Sequence, residues 1–484
     1  MLKLILKNIK RTLYLSKKNE QSYNSIDSKL IKEYNNVRPF GPQKILCYAP
    51  FKSMYFDING RVGACGLSFK EYETYPEKSI SEIWNGEKFN KHRNLILHND
   101  LSYEFDVCKT HLLNKNFLGT KALWYDNLSV NDKYPTLMEF ELDNTCNLEC
   151  IMCNAIKSSG IRKRKNIETV YKSPYDNQFV MQLEEFIPHL EKAIFIGGEP
   201  FLIKIYYDIW EKMIELNPDI IINVNTNGTI LNDRIKGILN RGKFDFNLSI
   251  DSLNKNTYEK IRVNATFEDT INNLYYFHKY CEEKQTKLYL CPCPMKTNWE
   301  EMPEFVRFCN KLNITLFLYT VFQPYDLALW SYSSVKLNEI YLKLSEYNFP
   351  ENNEFEKHNS LQFKSFVKQI NIWYNEALMR EKQVKSISFS DNNNEYKNKL
   401  IKKIKDFIFE KASLNNEQKE NKLNIYISII NNLENNLPSD IDPNGLFQKL
   451  CSFDVSLVIE QLEINDTDEL INQAKMLYYT SYLG

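Results

Sequence analysis

The sequence predicts an α/β protein built on parallel strands, and two observations carry that expectation. Between residues 135 and 325, six short stretches rich in β-branched and aromatic residues alternate with longer stretches of helical periodicity. Polar or glycine-bearing tails follow four of the six, at the strand ends where a parallel sheet places its ligand sites. Strands joined by helices connect through right-handed crossovers, so the arrangement is either a doubly wound sheet or a barrel.

The strand candidates are LMEFEL (137–142), AIFIGG (193–198), IIINVNT (220–226), FDFNLSI (244–250), KLYLCP (287–292) and ITLFLYT (314–320). Each is short and apolar, as a strand buried on both faces should be. Between them, helices are expected over 178–190, 201–216, 231–240, 254–281 as a pair, and 299–311. The tails are DNTC (143–146), GGEP (197–200), NTNG (225–228) and SIDS (249–252), which load one edge of the sheet with polar groups.

On either side the pattern changes. Residues 1–41 read as an N-terminal helix and linker, 42–125 as a small cysteine-bearing domain, and 333–484, rich in Asn, Lys and Glu, as a helical extension. Within MLKLILKNIKRTLYLSKKN, Leu2, Ile5, Ile9 and Leu13 share a helical face with basic residues elsewhere. A helix of this kind packs on its own domain or touches an anionic membrane surface through residues 1–19. The run DNNNEYKNKLIKKIKDF (391–407) reads as a solvated linker passing into a basic helix face.

Composition limits the function classes. A chain of 484 residues, 43% hydrophobic and 13% aromatic, can bury a large core and divide into two to four domains. A net charge of −1 gives no reason to expect a nucleic-acid partner. Eleven cysteines, an odd count, argue against a disulfide framework and for a reducing cytoplasm in which thiols bind metal or do chemistry. No apolar run reaches the roughly 20 residues of a spanning helix.

Cys146, Cys150 and Cys153 lie in DNTCNLECIMCN, just past the first strand candidate. A closed structural zinc site wants four ligands, and no second pair stands in register. Three thiolates suit a [4Fe–4S] cube, which then keeps one iron open for an exogenous ligand. This C-x3-C-x2-C after a first strand, with GGEP after the second, resembles the radical S-adenosylmethionine (radical SAM) enzyme superfamily. The resemblance covers roughly 135–325 and implies a partial (β/α)6 barrel. It further implies that S-adenosylmethionine chelates the open iron and is cleaved by one electron to methionine and a 5′-deoxyadenosyl radical that abstracts hydrogen from substrate.

The other strand tails follow residue by residue. Glu199 resembles the family residue that meets the cofactor's ammonium, with Gly197 and Gly198 allowing close backbone approach. Asn225 and Asn227, with Gly228, resemble the polar end of the third strand near the substrate or the methionine moiety. Ser249, Asp251 and Arg262 resemble positions that contact the ribose and carboxylate. Met152 stands where the family often carries an aromatic residue beside adenine, and its apolar side chain suits the same packing.

In the first zone, CYAPFKSMYFDINGRVGAC places Cys47 and Cys65 on either side of a hairpin turning at Asn59-Gly60. SISEIWNGEKFNKHRNLIL (79–97) reads as an amphipathic helix, and Cys108 and His111 follow it. The order resembles the SPASM or twitch modules that bind auxiliary [4Fe–4S] clusters, with two departures: the module precedes the barrel, and His111 stands where a second cysteine is expected. The fourth iron would then be held by His111, by another cysteine, by substrate or by nothing. A Cys3His zinc site is the alternative use of Cys47, Cys65, Cys108 and His111.

Cys291 and Cys293 end the fifth strand candidate and are either core thiols or groups facing the active site. The expected function is a radical SAM enzyme acting on a peptide or protein side chain, supplied with single electrons by a flavodoxin or ferredoxin. A sugar or other small-molecule substrate is the alternative within that class, and a non-catalytic iron–sulfur or zinc scaffold the alternative outside it.

Overall fold

The computed structural model describes residues 25–67, 73–101, 105–117, 120–131, 133–167, 172–384, 395–410, 415–438, 441–453 and 455–480. The helix expected at the N-terminus and the start of the 391–407 run lie outside these residues. The chain forms two compact units, one of Met1–Asn144, Val170–Asn225 and Asn232–Asp245, the other of Thr145–Thr169, Thr226–Leu231 and Phe246–Gly484.

The first unit begins its sheet with a hairpin. Strands β1 (Ser53–Phe56) and β2 (Arg61–Gly63) pair antiparallel, Tyr55 opposite Gly63. The chain reverses through Asp57–Gly60, with Gly60 alone left-handed at φ +85°, where a Cβ would collide with the Tyr75 carbonyl. β3 (Glu73–Thr74) pairs with β2. On its other side β1 runs parallel to β4 (Leu137–Phe140), Tyr55 beside Glu139, so the cysteine-bearing hairpin and the first expected barrel strand share one sheet. β5 (Lys192–Phe195) and β6 (Ile221–Thr226) continue it in parallel, and the strand order here is β3-β2-β1-β4-β5-β6-β7.

This sheet has two chemically different faces, as a period of two requires. Phe56, Phe140 and Phe195 stack in a row, with ring centroids 5.5 and 4.9 Å apart. The helices Asn177–Leu183 and Lys204–Leu216 cover that row with Phe179 and Trp210. The opposite face presents Tyr55, Glu139 and Glu141, and Glu139 and Glu141 are both buried.

In the second unit β7 (Lys243–Leu248), whose first half belongs to the first unit, pairs in parallel with β8 (Leu288–Leu290), and β8 with β9 (Thr315–Leu316). Phe246 packs on Phe277 of the helix Phe267–Lys284 at 4.4 Å. Asn359 closes the edge at β9: its Oδ1 accepts the Leu316 N–H at 2.7 Å and its Nδ2 donates to the Ile314 carbonyl at 3.0 Å. From residue 334 onward the described chain is helical, including Ser334–Ser345, Glu354–Val384, Glu395–Glu410, Asn416–Asn435, Pro443–Leu450, Val455–Ile464 and Thr467–Thr480.

The α/β class with a mostly parallel sheet and a helical C-terminal region is as expected. The strands are shorter than the apolar runs that announced them, because residues such as 141–142 and 196–198 have already left the ladder. The single helix expected over 79–97 is two, Ile80–Trp84 and Glu87–Leu97, because Gly86 adopts an extended backbone and starts the second.

Candidate active site: the three-cysteine loop, the strand ends and a second thiol group

In the second unit the three-cysteine loop is held by its own polar groups. Ser159 donates its hydroxyl to the Cys146 carbonyl at 3.4 Å and accepts the Cys146 N–H at 3.0 Å. The Leu148 amide donates to the Cys146 sulfur at 3.5 Å, the kind of contact a cluster thiolate receives. Cys150 is buried, with Cys146 and Cys153 half-buried, so the loop offers sulfurs at the edge of the core.

Burial raises the Cys150 thiol, opposed by the Arg262 guanidinium. Burial pushes Cys153 up to about 12, helped by the nearby Cys150 and Cys146. The three sulfurs are thus close enough to feel one another, and each must release its proton when metal binds. Met152 packs with Ile151 and Cys293 against Ile261, Met295 and Val321, an apolar bed beside the thiols.

Asn227 donates its side-chain amide to Asn147 Oδ1 at 3.0 Å, and Asn147 donates to Thr229 Oγ1 at 2.9 Å, which ties the tail of β6 to the cysteine loop. Ser249 donates its amide to the Thr226 carbonyl at 3.0 Å. Asp251 and Arg262 are drawn together: Arg262 Nε donates to Asp251 Oδ2 at 2.5 Å, and its Nη1 lies 3.6 Å from the Cys150 sulfur. Both were expected to face the cofactor, yet the contacts seen here join them to each other and to a cluster cysteine.

In the first unit the GGEP turn follows β5. Gly197 takes φ +123°, and a Cβ there would meet the Asp143 carbonyl at 2.5 Å, so only glycine fits. Gly198 donates its amide to the same carbonyl at 3.1 Å. Glu199 is fully buried, and its Oε1 accepts the Phe201 amide at 3.1 Å. Asn225, at the end of β6, is half-buried. A buried carboxylate at a strand end, beside a half-buried glycine turn, suits a ligand's ammonium.

The first unit also holds the second thiol group. Burial drives Cys47 well up, with Cys108 and Cys65 adding to the effect, which brings these three together. Burial lifts Cys65 to about 11 against the pull of the Lys121 ammonium, and lifts Cys108 against the amides of Ala122 and Lys121. The Ala49 amide donates to the Cys47 sulfur at 3.4 Å. Amide donors and an ammonium around buried thiols suit thiolates bound to a cluster.

His111 follows Cys108 in the helix Asp106–Leu113, with Nδ1 3.3 Å from the Asn116 side-chain amide, and burial lowers its pKa. Among the described residues no three His, Cys, Asp or Glu side chains converge closely enough to hold one metal ion. A four-iron cube is larger and spaces its thiolates further apart.

Sequence reasoning missed the polar groups beneath these thiols. Glu139 accepts from Lys121 Nζ at 3.0 Å and from the Tyr125 hydroxyl at 2.8 Å, and Glu141 accepts from the Tyr55 hydroxyl. Arg38 and Asp126 form a fully buried ion pair at 2.5 Å. The signal was present in LMEFEL, where two glutamates two positions apart interrupt an otherwise apolar strand and so must share one face.

The Radical SAM superfamily model matches residues 141–309, and the model of an iron-sulfur cluster-binding domain, SPASM, matches residues 47–110. The probable GTP 3′,8-cyclase of Methanocaldococcus jannaschii is 25% identical over 181 residues, 37% of this chain and 56% of its own length. The GTP 3′,8-cyclase of Desulforamulus reducens is 24% identical over 203 residues, 39% of this chain and 55% of its own. The chain thus spans about half the length of the curated relatives it matches. Among solved structures, native anSMEcpe with bound AdoMet aligns at 17% identity and a TM-score of 0.34, over 43% of this chain and 59% of that one. Streptococcus suis SuiB bound to precursor peptide SuiA aligns at 17% identity and a TM-score of 0.31, over 54% and 57%. The chain thus matches a radical SAM domain model with a SPASM domain model ahead of it, domains that imply a SAM-binding [4Fe–4S] cluster, S-adenosylmethionine and auxiliary iron–sulfur clusters.

Proposed function

We propose that the chain cleaves S-adenosylmethionine reductively and abstracts hydrogen from a peptide or protein side chain. The observation that carries the reading is the loop of Cys146, Cys150 and Cys153, with the Leu148 amide 3.5 Å from the Cys146 sulfur and the Arg262 guanidinium 3.6 Å from the Cys150 sulfur. A cluster on these thiols would supply one electron to the cofactor and release a 5′-deoxyadenosyl radical. The chain's own residues bind and orient. Gly197 and Gly198 open the backbone to the cofactor, Glu199 receives its ammonium, and Met152 with the bed around Ile261 excludes water. Asn225, Asn227 and Ser249 supply polar groups at the strand ends. A one-electron reductant such as flavodoxin or ferredoxin is required.

The second thiol group, Cys47, Cys65 and Cys108, is assigned to the auxiliary cluster, with His111 a candidate fourth ligand that would have to leave Asn116. The domain limits that accompany this reading are 42–125, 135–325 and 333–484. A peptide substrate is inferred from the resemblance to SPASM modules. The relatives named as GTP 3′,8-cyclases favour the rival reading, a small-molecule substrate.

Anaerobic reconstitution with iron and sulfide, followed by dithionite and S-adenosylmethionine, tests the core claim. Production of 5′-deoxyadenosine is expected, and its absence from the wild-type protein sinks the reading. A Cys146→Ala/Cys150→Ala/Cys153→Ala variant should lose that product while retaining iron, and an iron-free triple variant would remove the auxiliary cluster. GTP added to the assay should yield no new nucleotide, and a cyclised product would install the rival.

A further inference from the structure

Arg262 and Asp251 form the most completely buried ion pair of the second unit's site: no part of the Asp251 side chain is exposed, and 11% of the Arg262 side chain. Each remaining hydrogen-bonding edge described for Asp251 also faces protein. Its Oδ1 accepts the Cys293 amide at 2.7 Å, while Asn298 Nδ2 donates to the backbone carbonyls of Asp251 and Cys293 at 2.7 and 3.1 Å. A carboxylate anchored so firmly fixes the guanidinium that it binds through Nε.

The guanidinium then points at one cysteine. The amides of Glu149 and Ile151, on either side of Cys150, donate to the carbonyls of Val263 and Ile261, on either side of Arg262, at 3.1 and 3.0 Å. The two segments are locked in register with Cys150 opposite Arg262, and Nη1 reaches the sulfur at 3.6 Å. A guanidinium is always protonated in proteins, so the cation persists beside the thiol. Sulfur accepts from charged donors, and such donors stabilise the more negative, reduced state of a cluster.

We propose that Arg262, anchored by Asp251, is a positioning residue that donates a charge-assisted hydrogen bond to the Cys150 thiolate and thereby raises the reduction potential of the barrel cluster. The inference rests on the radical SAM reading above and goes beyond it, since that reading gave Arg262 to the cofactor.

The test is an EPR-monitored redox titration of the reconstituted full chain without S-adenosylmethionine, following the signal that vanishes in the Cys146/Cys150/Cys153 alanine variant. Arg262→Gln should shift that midpoint to more negative values, with the auxiliary signal unmoved. Arg262→Lys, which keeps the charge and loses the fork, should fall between it and wild type. If Arg262→Gln takes up no iron, the Arg262→Lys midpoint decides, and a negative shift supports the inference. A wild-type midpoint in these variants overturns the inference even if their affinity for S-adenosylmethionine falls, because Arg262 would then serve the cofactor alone. Absence of any signal assignable to the three cysteines would instead overturn the cluster reading.

Discussion

At the scale of single residues, Gly197 is tightly constrained. Its φ of +123° and the Asp143 carbonyl 2.5 Å from a Cβ position leave no room for alanine. Gly197→Ala should lower stability by roughly 1–3 kcal/mol, the cost of forcing a residue into such a conformation. Urea unfolding measures that loss, and equilibrium dialysis with S-adenosylmethionine should show weaker binding. The cysteines, GGEP and SIDS were legible in the sequence because cluster and turn chemistry demand particular residue types at fixed spacing. Glu139, Lys121 and Tyr125 were not, because a lysine and a tyrosine from the segment 121–125 reach a glutamate on β4 only through the tertiary fold. The fate of Arg262 was hidden for the same reason: its partners, Asp251 and Cys150, lie 11 and 112 positions away.

At the scale of elements, stability resides in a few recognisable devices. The helix Ile80–Trp84 opens with a capping box in which Ser79 and Glu82 satisfy each other's backbone amides. Ser79→Ala should cost about 1 kcal/mol, read as a fall in the denaturation midpoint. The phenylalanine row on β1, β4 and β5 marks the helix-covered face, and its alternation with Tyr55 and Glu139 gives the sheet unlike sides. Strand existence and order could be read from apolar runs, whereas strand ends could not. Past the last paired residues Phe140 and Phe195, Glu141 is charged while Leu142 and Ile196 are apolar, so hydropathy does not mark where pairing stops.

At the scale of the whole molecule, the C-terminal helices form a body with its own apolar interior. Leu400, Ile404 and Ile408 on one helix and Leu423, Tyr426, Ile430 and Leu433 on another are buried. An uncompensated charge there costs several kcal/mol. Ile404→Asp should therefore lower the denaturation midpoint, followed by far-ultraviolet circular dichroism. No helix among the described residues is long and apolar enough to cross a membrane. The sequence marked this region as helical but carried no motif for it, since a bundle needs only periodicity. The parallel pairing of β1 with β4 was beyond the sequence, which read the hairpin as part of a separate module. That pairing has a consequence for biosynthesis. The hairpin leaves the ribosome long before its partner, and at about 5–20 residues per second the roughly 80 intervening residues take about 4–16 s to appear. During that interval β1 offers an unpaired edge to any other nascent chain. Iron–sulfur insertion at Cys47 and Cys65 would have to wait for Cys108 as well, so during translation this edge depends on chaperones or on speed.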